Sequence, residues 1–470
     1  MLAIIAALAV VALLFPRNGV KVGETNLRFP KIEEVLVREP LETEVVEPKL
    51  SFEDSVKLEE LNSLKDTLKH YKEVFVGDAG QFYFPENNVA FFDGIFDEMA
   101  AAKRNHRIIR ILHYGDSQIE MDRLSANLRE FFQSKFGGGG PGMIPAIQTI
   151  PSAVVAQRAS GDLTAYAPYG DAGARTSSGN YGIMAKSYRL NGSAVVNVYA
   201  SNHHAARERV KSFSSVKVLV NDHTGNFALS VKAKGQNRDY AVQSPGKGIQ
   251  LLDCPLDSVA KTLTIRLSGS SDIYGIMVDN GYGVNVDNIP LRGCSGTIFT
   301  QIKDTILQRC CQLSDVGIIL LQFGGNSVPA LYNDVSIQKF KESTAKQIRY
   351  IRSLYPRAAV VYIGPSDMST RKGGSLRTYP CLPKLVEALK AAALENGAAY
   401  WDLYAAMGGE NSMIQFVKSG LAGPDYVHFT PKGAEKMGQV LANSFEEVYD
   451  FYKMRKKIDK TQLDSLWTVN

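Results

Sequence analysis

Three short motifs carry the residue types needed for acyl transfer. The motifs GDS, GGN and DYVH contribute Ser117, Asn326, and the pair Asp425 and His428. A serine hydroxyl is a weak nucleophile until a histidine accepts its proton, and that histidine is usually oriented by a carboxylate. The Ser117 backbone N–H, a glycine N–H and the Asn326 amide could stabilise the oxyanion that forms. The three motifs therefore predict a serine nucleophile with a general base and oxyanion donors.

The segments around these motifs predict an α/β fold that places them together. The apolar run 107–114 precedes Ser117, and the apolar run 316–323 precedes Asn326. Runs of this kind alternate with helical periodicity, which predicts a parallel sheet covered on both faces. In such a sheet, ligands bind beyond the carboxyl ends of the strands. The further predicted elements are helices at 122–136, 297–313, 336–355, 382–396 and 432–452, and strands at 358–363 and 398–403.

The middle of the chain has a different pattern. Between residues 151 and 287, segments such as VVNVYAS and KTLTIRLSG alternate apolar and polar residues and are separated by Gly, Asn, Asp and Ser. Alternation with a period of two predicts half-buried strands. This region is therefore predicted to be an all-β sandwich domain inserted into the α/β unit.

The motifs, taken in chain order, resemble those of the SGNH (GDSL-type) hydrolases. GDSQ at 115–118 resembles the first block of that family, GGN the third and DYVH the fifth, and Gly293 in NIPLRGCSG resembles the glycine of the second block. The resemblance implies that Ser117 is the nucleophile, His428 the general base and Asp425 its orienting partner. It also implies an oxyanion hole formed by Ser117, Gly293 and Asn326. Gln118 and Ser327 depart from the family pattern, in which leucine and aspartate stand at these positions.

The same resemblance implies a fold and a substrate class. The fold would be the flavodoxin-like, three-layer SGNH fold with a parallel sheet, and the β insertion would resemble a carbohydrate-binding module. The overall pattern is similar to bacterial envelope enzymes that remove or transfer O-acetyl groups on peptidoglycan and other polysaccharides. The expected function is removal of O-acetyl groups from an envelope or extracellular glycan through an acyl-serine. Two alternatives stay open, namely a glycan O-acetyltransferase with the same triad and a non-catalytic glycan-binding envelope protein.

The N-terminal segment predicts export. Residues 2–15 lack any polar side chain, which is typical of a signal peptide or a short membrane anchor. We therefore expect an exported, periplasmic or cell-envelope protein. Residues 1–16 are either a signal peptide or an anchor that keeps the protein at the membrane. The predicted organisation along the chain is a signal peptide or anchor (1–16), a linker (17–50), a helical extension (51–89), the first part of the hydrolase domain (90–150), the insertion (151–287), its second part (288–455) and a tail (456–470).

Composition excludes several classes of function. The chain has 470 residues, 45% of them hydrophobic, which is too apolar for a disordered chain. Its net charge of +5 comes from scattered rather than clustered basic residues, so no nucleic-acid partner is expected. The histidines and five cysteines lack paired metal-ligand spacing, so no metal and no cofactor are expected. An O-acetylated glycan and, through the N-terminal segment, a membrane are the expected partners.

Overall fold

A computed structural model describes residues 1–30, 52–75, 81–224, 227–233, 236–241, 246–458, 463 and 467. The chain divides into two compact units, residues 1–64 and residues 65–470. Most of the predicted linker at 17–50, and most of the predicted tail at 456–470, lie outside the described residues.

The first unit begins with helix α1, Leu2–Leu14, none of whose side chains is buried. A short antiparallel hairpin follows, formed by β1 (Val20–Val22) and β2 (Thr25–Leu27), where an extended linker was predicted. Among the described residues, no helix combines the length and the apolar character that crossing a membrane requires. Helix α2 then runs from Phe52 to Phe75, within the predicted helical extension.

The remaining elements have the following bounds. The strands are β3 (Phe82–Tyr83), β4 (Ile108–Gly115), β5 (Gly142–Ile144), β6 (Val155–Tyr166), β7 (Ser187–Ala200), β8 (Phe213–His223), β9 (Ala228–Ala233), β10 (Gln236–Ala241), β11 (Gly246–Ala260), β12 (Thr262–Asp279), β13 (Gly283–Pro290), β14 (Val316–Gln322), β15 (Ala359–Ile363), β16 (Ser369–Lys372), β17 (Ser375–Thr378) and β18 (Ala399–Trp401). The helices are α3 (Asp93–Ala102), α4 (Ser125–Phe136), α5 (Asp304–Leu313), α6 (Asp334–Leu354), α7 (Leu382–Glu395), α8 (Leu403–Met407), α9 (Ser412–Lys418) and α10 (Pro431–Arg455).

A six-stranded sheet in the order β13-β4-β14-β15-β18-β3 forms the centre of the second unit. Its first five strands are parallel, and the two-residue β3 is added antiparallel at the edge. Numbered by their place in the chain, the parallel strands follow the order 2-1-3-4-5, which is the flavodoxin-like order. The predicted α/β fold with a parallel sheet is therefore confirmed.

Helices cover both faces of this sheet because its strands are apolar on both sides. Leu112 and Tyr114 share a core with residues of α5, α6 and α7. The alternate residues Ile109 and Ile111 are fully buried and point to the opposite face. On that face, α4 contacts α3, α10 and β13. These three layers hold the carboxyl ends of the parallel strands at one edge of the unit.

A second, antiparallel sheet extends from Gly142 to Asp279. The long strand β12 pairs with β7 and β9 along its first half and with β8 and β5 along its second half. One β strand therefore belongs to both halves of the sheet, and the halves enclose a common apolar core that includes Phe213, Val218 and Ile265.

Strand β13 is where the structure departs most from the sequence prediction. Most of it falls within the predicted β insertion of 151–287, yet it lies in the parallel sheet beside β4. Its alternating polar residues are buried rather than exposed. Asp287 accepts hydrogen bonds from Arg110, and Asn285 accepts one from Gln133. These polar residues are buried because they have hydrogen-bond partners in the interior. In the sequence, their alternation with apolar residues looks the same as that of a half-exposed strand.

Candidate active site

The ends of three parallel strands meet at one edge of the sheet. Gly115, the last residue of β4, is level with Pro290 at the end of β13 and with Gln322 at the end of β14. A Cβ atom on Gly115 would lie 2.9 Å from the Ile119 side chain and 3.1 Å from the Gln322 carbonyl oxygen. Glycine at this position therefore lets the chain turn tightly into the following residues, which include Ser117.

Ser117, His428 and Asp425 form one hydrogen-bonded chain. The Ser117 Oγ is 2.8 Å from His428 Nε2, and His428 Nδ1 is 2.8 Å from Asp425 Oδ2. Because an ionised carboxylate only accepts hydrogen bonds, the pattern assigns the proton of the neutral ring to Nδ1 and leaves Nε2 to accept from the serine. The structure thus brings together the three residues predicted as nucleophile, base and orienting carboxylate.

Backbone N–H groups of its own turn hold the Asp425 carboxylate in place. Its Oδ1 accepts the backbone N–H groups of Val427 and His428, at 3.0 and 3.1 Å. Partial burial raises the pKa of Asp425, but the hydrogen bonds from the side chain and backbone of His428 and from Val427 outweigh it and leave the pKa below its usual value. The carboxylate therefore stays ionised. The His428 side chain is 38% exposed, so its ring can be reached from solvent.

The turn that carries the nucleophile, Ser117–Asp122, is fixed at both ends. The Asp116 carboxylate accepts the Gln118 backbone N–H at 2.9 Å, and Arg123 donates to the Ser117 carbonyl oxygen at 3.0 Å. Because Ser117 is the first residue of this helical turn, its N–H has no acceptor within the turn. That N–H remains available to an oxyanion.

The two other predicted oxyanion donors are placed differently. Asn326 Nδ2 donates to Asp116 Oδ2 at 3.0 Å and to the Cys294 carbonyl oxygen at 3.1 Å, which engages both amide hydrogens. Gly293 adjoins Cys294, has a positive φ of 73°, and has no atom within 4 Å of a would-be Cβ. The Cys294 carbonyl oxygen connects the Gly293 loop to Asn326 by a hydrogen bond. Gly293 itself does not line the pocket beside Ser117.

The pocket beside Ser117 has room for a small acyl group. Its volume is about 150 Å³, and Asn326 and His428 line it together with the nucleophile. Apolar side chains complete its walls, among them Phe323, Pro329, Pro365 and Met368.

Two polar residues of this pocket could not be assigned from sequence motifs. Gln118 donates through Nε2 to Ser366 Oγ at 3.1 Å and to the Val427 carbonyl oxygen at 2.5 Å. The second of these bonds ties the nucleophile's turn to the residue before His428. Gln118 stood out in the sequence only as a departure from the family motif, and Ser366 carried no signal.

Asp116 combines burial with ionisation. Only 4% of the residue is exposed. Burial raises its pKa from 3.8 to about 6, a nearby Glu120 adds to the rise, and the hydrogen bonds from Gln118 and Asn326 and the nearby His428 oppose it. At pH 7 the carboxylate is therefore ionised and accepts from Asn326.

Cys294, whose carbonyl oxygen accepts a hydrogen bond from Asn326, has a protonated thiol. Cys294 is buried next to Gly293, and burial raises the pKa of its thiol to about 11, so it is protonated at neutral pH. Within the described ranges, no three His, Cys, Asp or Glu side chains converge as a metal-binding group.

Comparison with known proteins gives a family match for part of the chain and a solved structure of similar fold. Residues 265–436, which include Gly293, Asn326, Asp425 and His428, match the model of the GDSL-like lipase/acylhydrolase family. A solved peptidoglycan O-acetylesterase is similar to 79% of this chain over 100% of its own length, with 22% identity and a TM-score of 0.63. A family two carbohydrate esterase from Cellvibrio japonicus covers 63% of this chain and 99% of itself with 8% identity, but its TM-score of 0.27 is too low to support an argument. No curated protein matches the sequence.

Proposed function

Since this chain belongs to the GDSL-like lipase/acylhydrolase family of SGNH hydrolases, we propose that it is a serine esterase that removes O-acetyl groups from a glycan. The observation that carries the proposal is the hydrogen-bonded chain of Ser117, His428 and Asp425 beside an open pocket.

The reaction follows from the direction of these hydrogen bonds. Ser117 Oγ attacks the ester carbonyl carbon while its proton passes to His428 Nε2, and Asp425 stabilises the imidazolium that results. When the tetrahedral intermediate collapses, His428 returns the proton to the departing glycan hydroxyl, which leaves an acetyl group on Ser117. A water molecule then repeats the sequence, so that acetate is released and the serine regains its proton.

The oxyanion of each tetrahedral intermediate needs donors at the mouth of the pocket. The Ser117 N–H is available without rearrangement, because its turn does not use it. Asn326 can contribute when one of its two hydrogen bonds, to Asp116 or to the Cys294 carbonyl, is exchanged for the oxyanion. The family resemblance implies the Gly293 N–H as a third donor; Gly293 lies in the loop joined to Asn326 through the Cys294 carbonyl, outside the residues that line the pocket.

Two features support a short acyl group on a glycan. A pocket of about 150 Å³ holds several water-sized groups and therefore suits an acyl chain of few carbons better than a fatty acid. The fold is shared with a peptidoglycan O-acetylesterase, and the exposed His428 suits an extended polymer.

We also propose that the protein is exported, because α1 is apolar throughout and none of its side chains is buried. Fractionation of cells producing the full chain tests this, and cytoplasmic recovery would contradict it.

The decisive experiment follows acetate release from 4-nitrophenyl acetate and from acetylated glycans. We expect the wild-type protein to hydrolyse them and the Ser117→Ala and His428→Ala variants to lose at least about 10³-fold in kcat/KM. Ser353→Ala and His204→Ala remove the same functional groups from exposed positions and serve as matched controls. Circular dichroism verifies that each variant is folded.

The other outcomes separate the alternatives. Equal rates in all variants would remove Ser117 as the nucleophile. Acetyl groups that appear on an added acceptor glycan, in place of free acetate, would identify a transferase. Glycan binding that survives Ser117→Ala without any turnover by the wild type would identify a binding protein.

A further inference from the structure

A second pocket lies at the far end of the turn that begins with Ser117. Asp122, which ends that turn, lines it together with Arg129 of α4, while Lys186 and Tyr188 contribute from the antiparallel region. Pro290 also lines it, and Pro290 is level with Gly115 at the end of the strand that leads to the nucleophile. This junction pocket, defined by these five residues, therefore borders the same sheet edge as the active site.

Two side chains that line the junction pocket each carry a buried donor without an acceptor among the described residues. Arg129 is 1% exposed and donates through Nε to the Val286 carbonyl oxygen and through Nη2 to Asp122, but its Nη1 has no partner among the described residues. The hydroxyl of the completely buried Tyr188 likewise finds none within the described part of the chain. Buried donors are almost always paired, because an unpaired one loses its hydration without compensation. Two such donors, on side chains that line the same pocket, are the reason to look for an acceptor there.

The charges in the pocket indicate an anionic acceptor. The Asp122 carboxylate is already engaged by Arg129 Nη2, by Ser152 Oγ at 2.6 Å and by the Ala153 N–H at 3.1 Å. Lys186 Nζ is 3.5 Å from Thr149 Oγ1, and no carboxylate in the described ranges forms an ion pair with it. Burial lowers the pKa of Lys186 because it disfavours the ammonium form. One positive charge in the pocket therefore lacks a counter-ion.

The size of the pocket limits what can enter. It has about 50 Å³ of space that the centre of a water molecule can occupy, which corresponds to a few water-sized groups. A carboxylate fits this space and this single charge, whereas a sugar ring does not fit. The ring must stay outside while its acidic substituent enters.

We propose that the junction pocket binds a carboxylate carried by the glycan substrate, so that an acidic sugar is held while its acetyl ester lies at Ser117. Arg129 Nη1 and the Tyr188 hydroxyl donate to the carboxylate, and Lys186 neutralises it. This inference rests on the proposed esterase function for its substrate, but its binding step can be tested alone.

The binding test uses two pairs of sugars that differ by a carboxylate. Calorimetry with the full chain compares N-acetylmuramic acid with N-acetylglucosamine, and glucuronate with glucose. We expect the acidic sugar of at least one pair to bind about tenfold more tightly, and Lys186→Gln and Tyr188→Phe to remove about that factor. Lys217→Gln and Tyr199→Phe make the same chemical changes at other sites of the antiparallel sheet, and Tyr199 is 40% exposed on the same strand as Tyr188. Equal binding of both members in both pairs, or unchanged binding by the pocket variants, would overturn the proposal.

The kinetic test separates this proposal from the esterase proposal. In Lys186→Gln, kcat/KM for an acetylated acidic glycan should fall about tenfold relative to kcat/KM for 4-nitrophenyl acetate. A wild-type protein that hydrolyses 4-nitrophenyl acetate but binds both sugars of each pair equally would refute only the pocket. Carboxylate-dependent binding by a wild-type protein that hydrolyses no ester would refute the esterase and leave the pocket as a binding site.

Discussion

Replacing Asp116 by asparagine should change the pH dependence of stability in a defined direction. The unfolded chain releases this proton near pH 3.8, whereas burial makes the folded protein hold it until about pH 6. Between these values the folded state binds more protons than the unfolded state, so the contribution of Asp116 to stability falls as pH rises. An asparagine has no such proton and does not contribute this slope.

The magnitude follows from the size of the shift. A rise from 3.8 to about 6 corresponds to a penalty of about 3 kcal/mol once the carboxylate is ionised in both states, and most of it develops between pH 4 and pH 7. The stability of Asp116→Asn minus that of the wild type should therefore be about 2 kcal/mol larger at pH 7 than at pH 4. The pH-dependent part of the hydrogen bonds from Gln118 and Asn326 is already contained in the shifted pKa of Asp116, so what remains of their loss shifts this difference by a constant.

The assay is urea unfolding of both proteins at pH 4, 5, 6 and 7. Asp171→Asn is the matched control, because Asp171 also accepts a backbone N–H at the start of a helical turn, from Gly173 at 3.0 Å, but lies exposed. Asp171→Asn therefore makes the same chemical change at the surface instead of in the interior. A wild-type-to-variant difference that stays constant from pH 4 to pH 7, or that falls as pH rises, would refute the reasoning.

Three further predictions follow from the site and the core. Asp425→Asn should lower kcat for 4-nitrophenyl acetate by about 10²- to 10⁴-fold, because an amide does not stabilise the imidazolium, and a loss below threefold in steady-state kinetics would contradict this role. Arg110→Met should cost about 3 to 5 kcal/mol in urea unfolding, because it leaves the buried carboxylates of Asp279 and Asp287 without their partner; an unchanged midpoint would show that the pair is not needed. All five cysteines are free thiols and four are buried, so a thiol reagent at pH 8 should modify the half-buried Cys381 first and reach all five only after unfolding. Fewer than five reactive thiols in the unfolded protein would reveal a disulfide.

The parallel sheet and the meeting of Ser117, His428 and Asp425 were predictable because their signals are local. Ser117 and Asn326 each follow an apolar run, and Asp425 and His428 share one turn. Parallel strands end at a common edge, so the order of elements was sufficient to bring these residues together. The structure adds the hydrogen bonds, which decide the proton's position on His428.

Other features depend on partners that are distant in sequence. Most of strand β13 falls in the region predicted as the insertion, and only its parallel pairing with β4, next to the buried Asp287–Arg110 ion pair, shows that it belongs to the parallel sheet. The engagement of both Asn326 hydrogens by Asp116 and Cys294 also has no sequence signature. The position of β13 and the hydrogen bonds of Asn326 both depend on which groups are buried together, and this is decided only when the chain has folded.

The position of β4 in the sheet has a consequence for the order in which the protein folds. Both of its neighbours, β13 and β14, follow the antiparallel sheet in the chain, and the Ser117–His428 contact joins residues 311 positions apart. Because closing long loops is entropically slow, contacts local in sequence form earlier. Hairpins such as β6–β7 can therefore pair while β4 still lacks both neighbours. We infer that a growing chain acquires its antiparallel sheet first and its hydrolytic machinery last, so an incomplete chain carries the nucleophile without the means to use it.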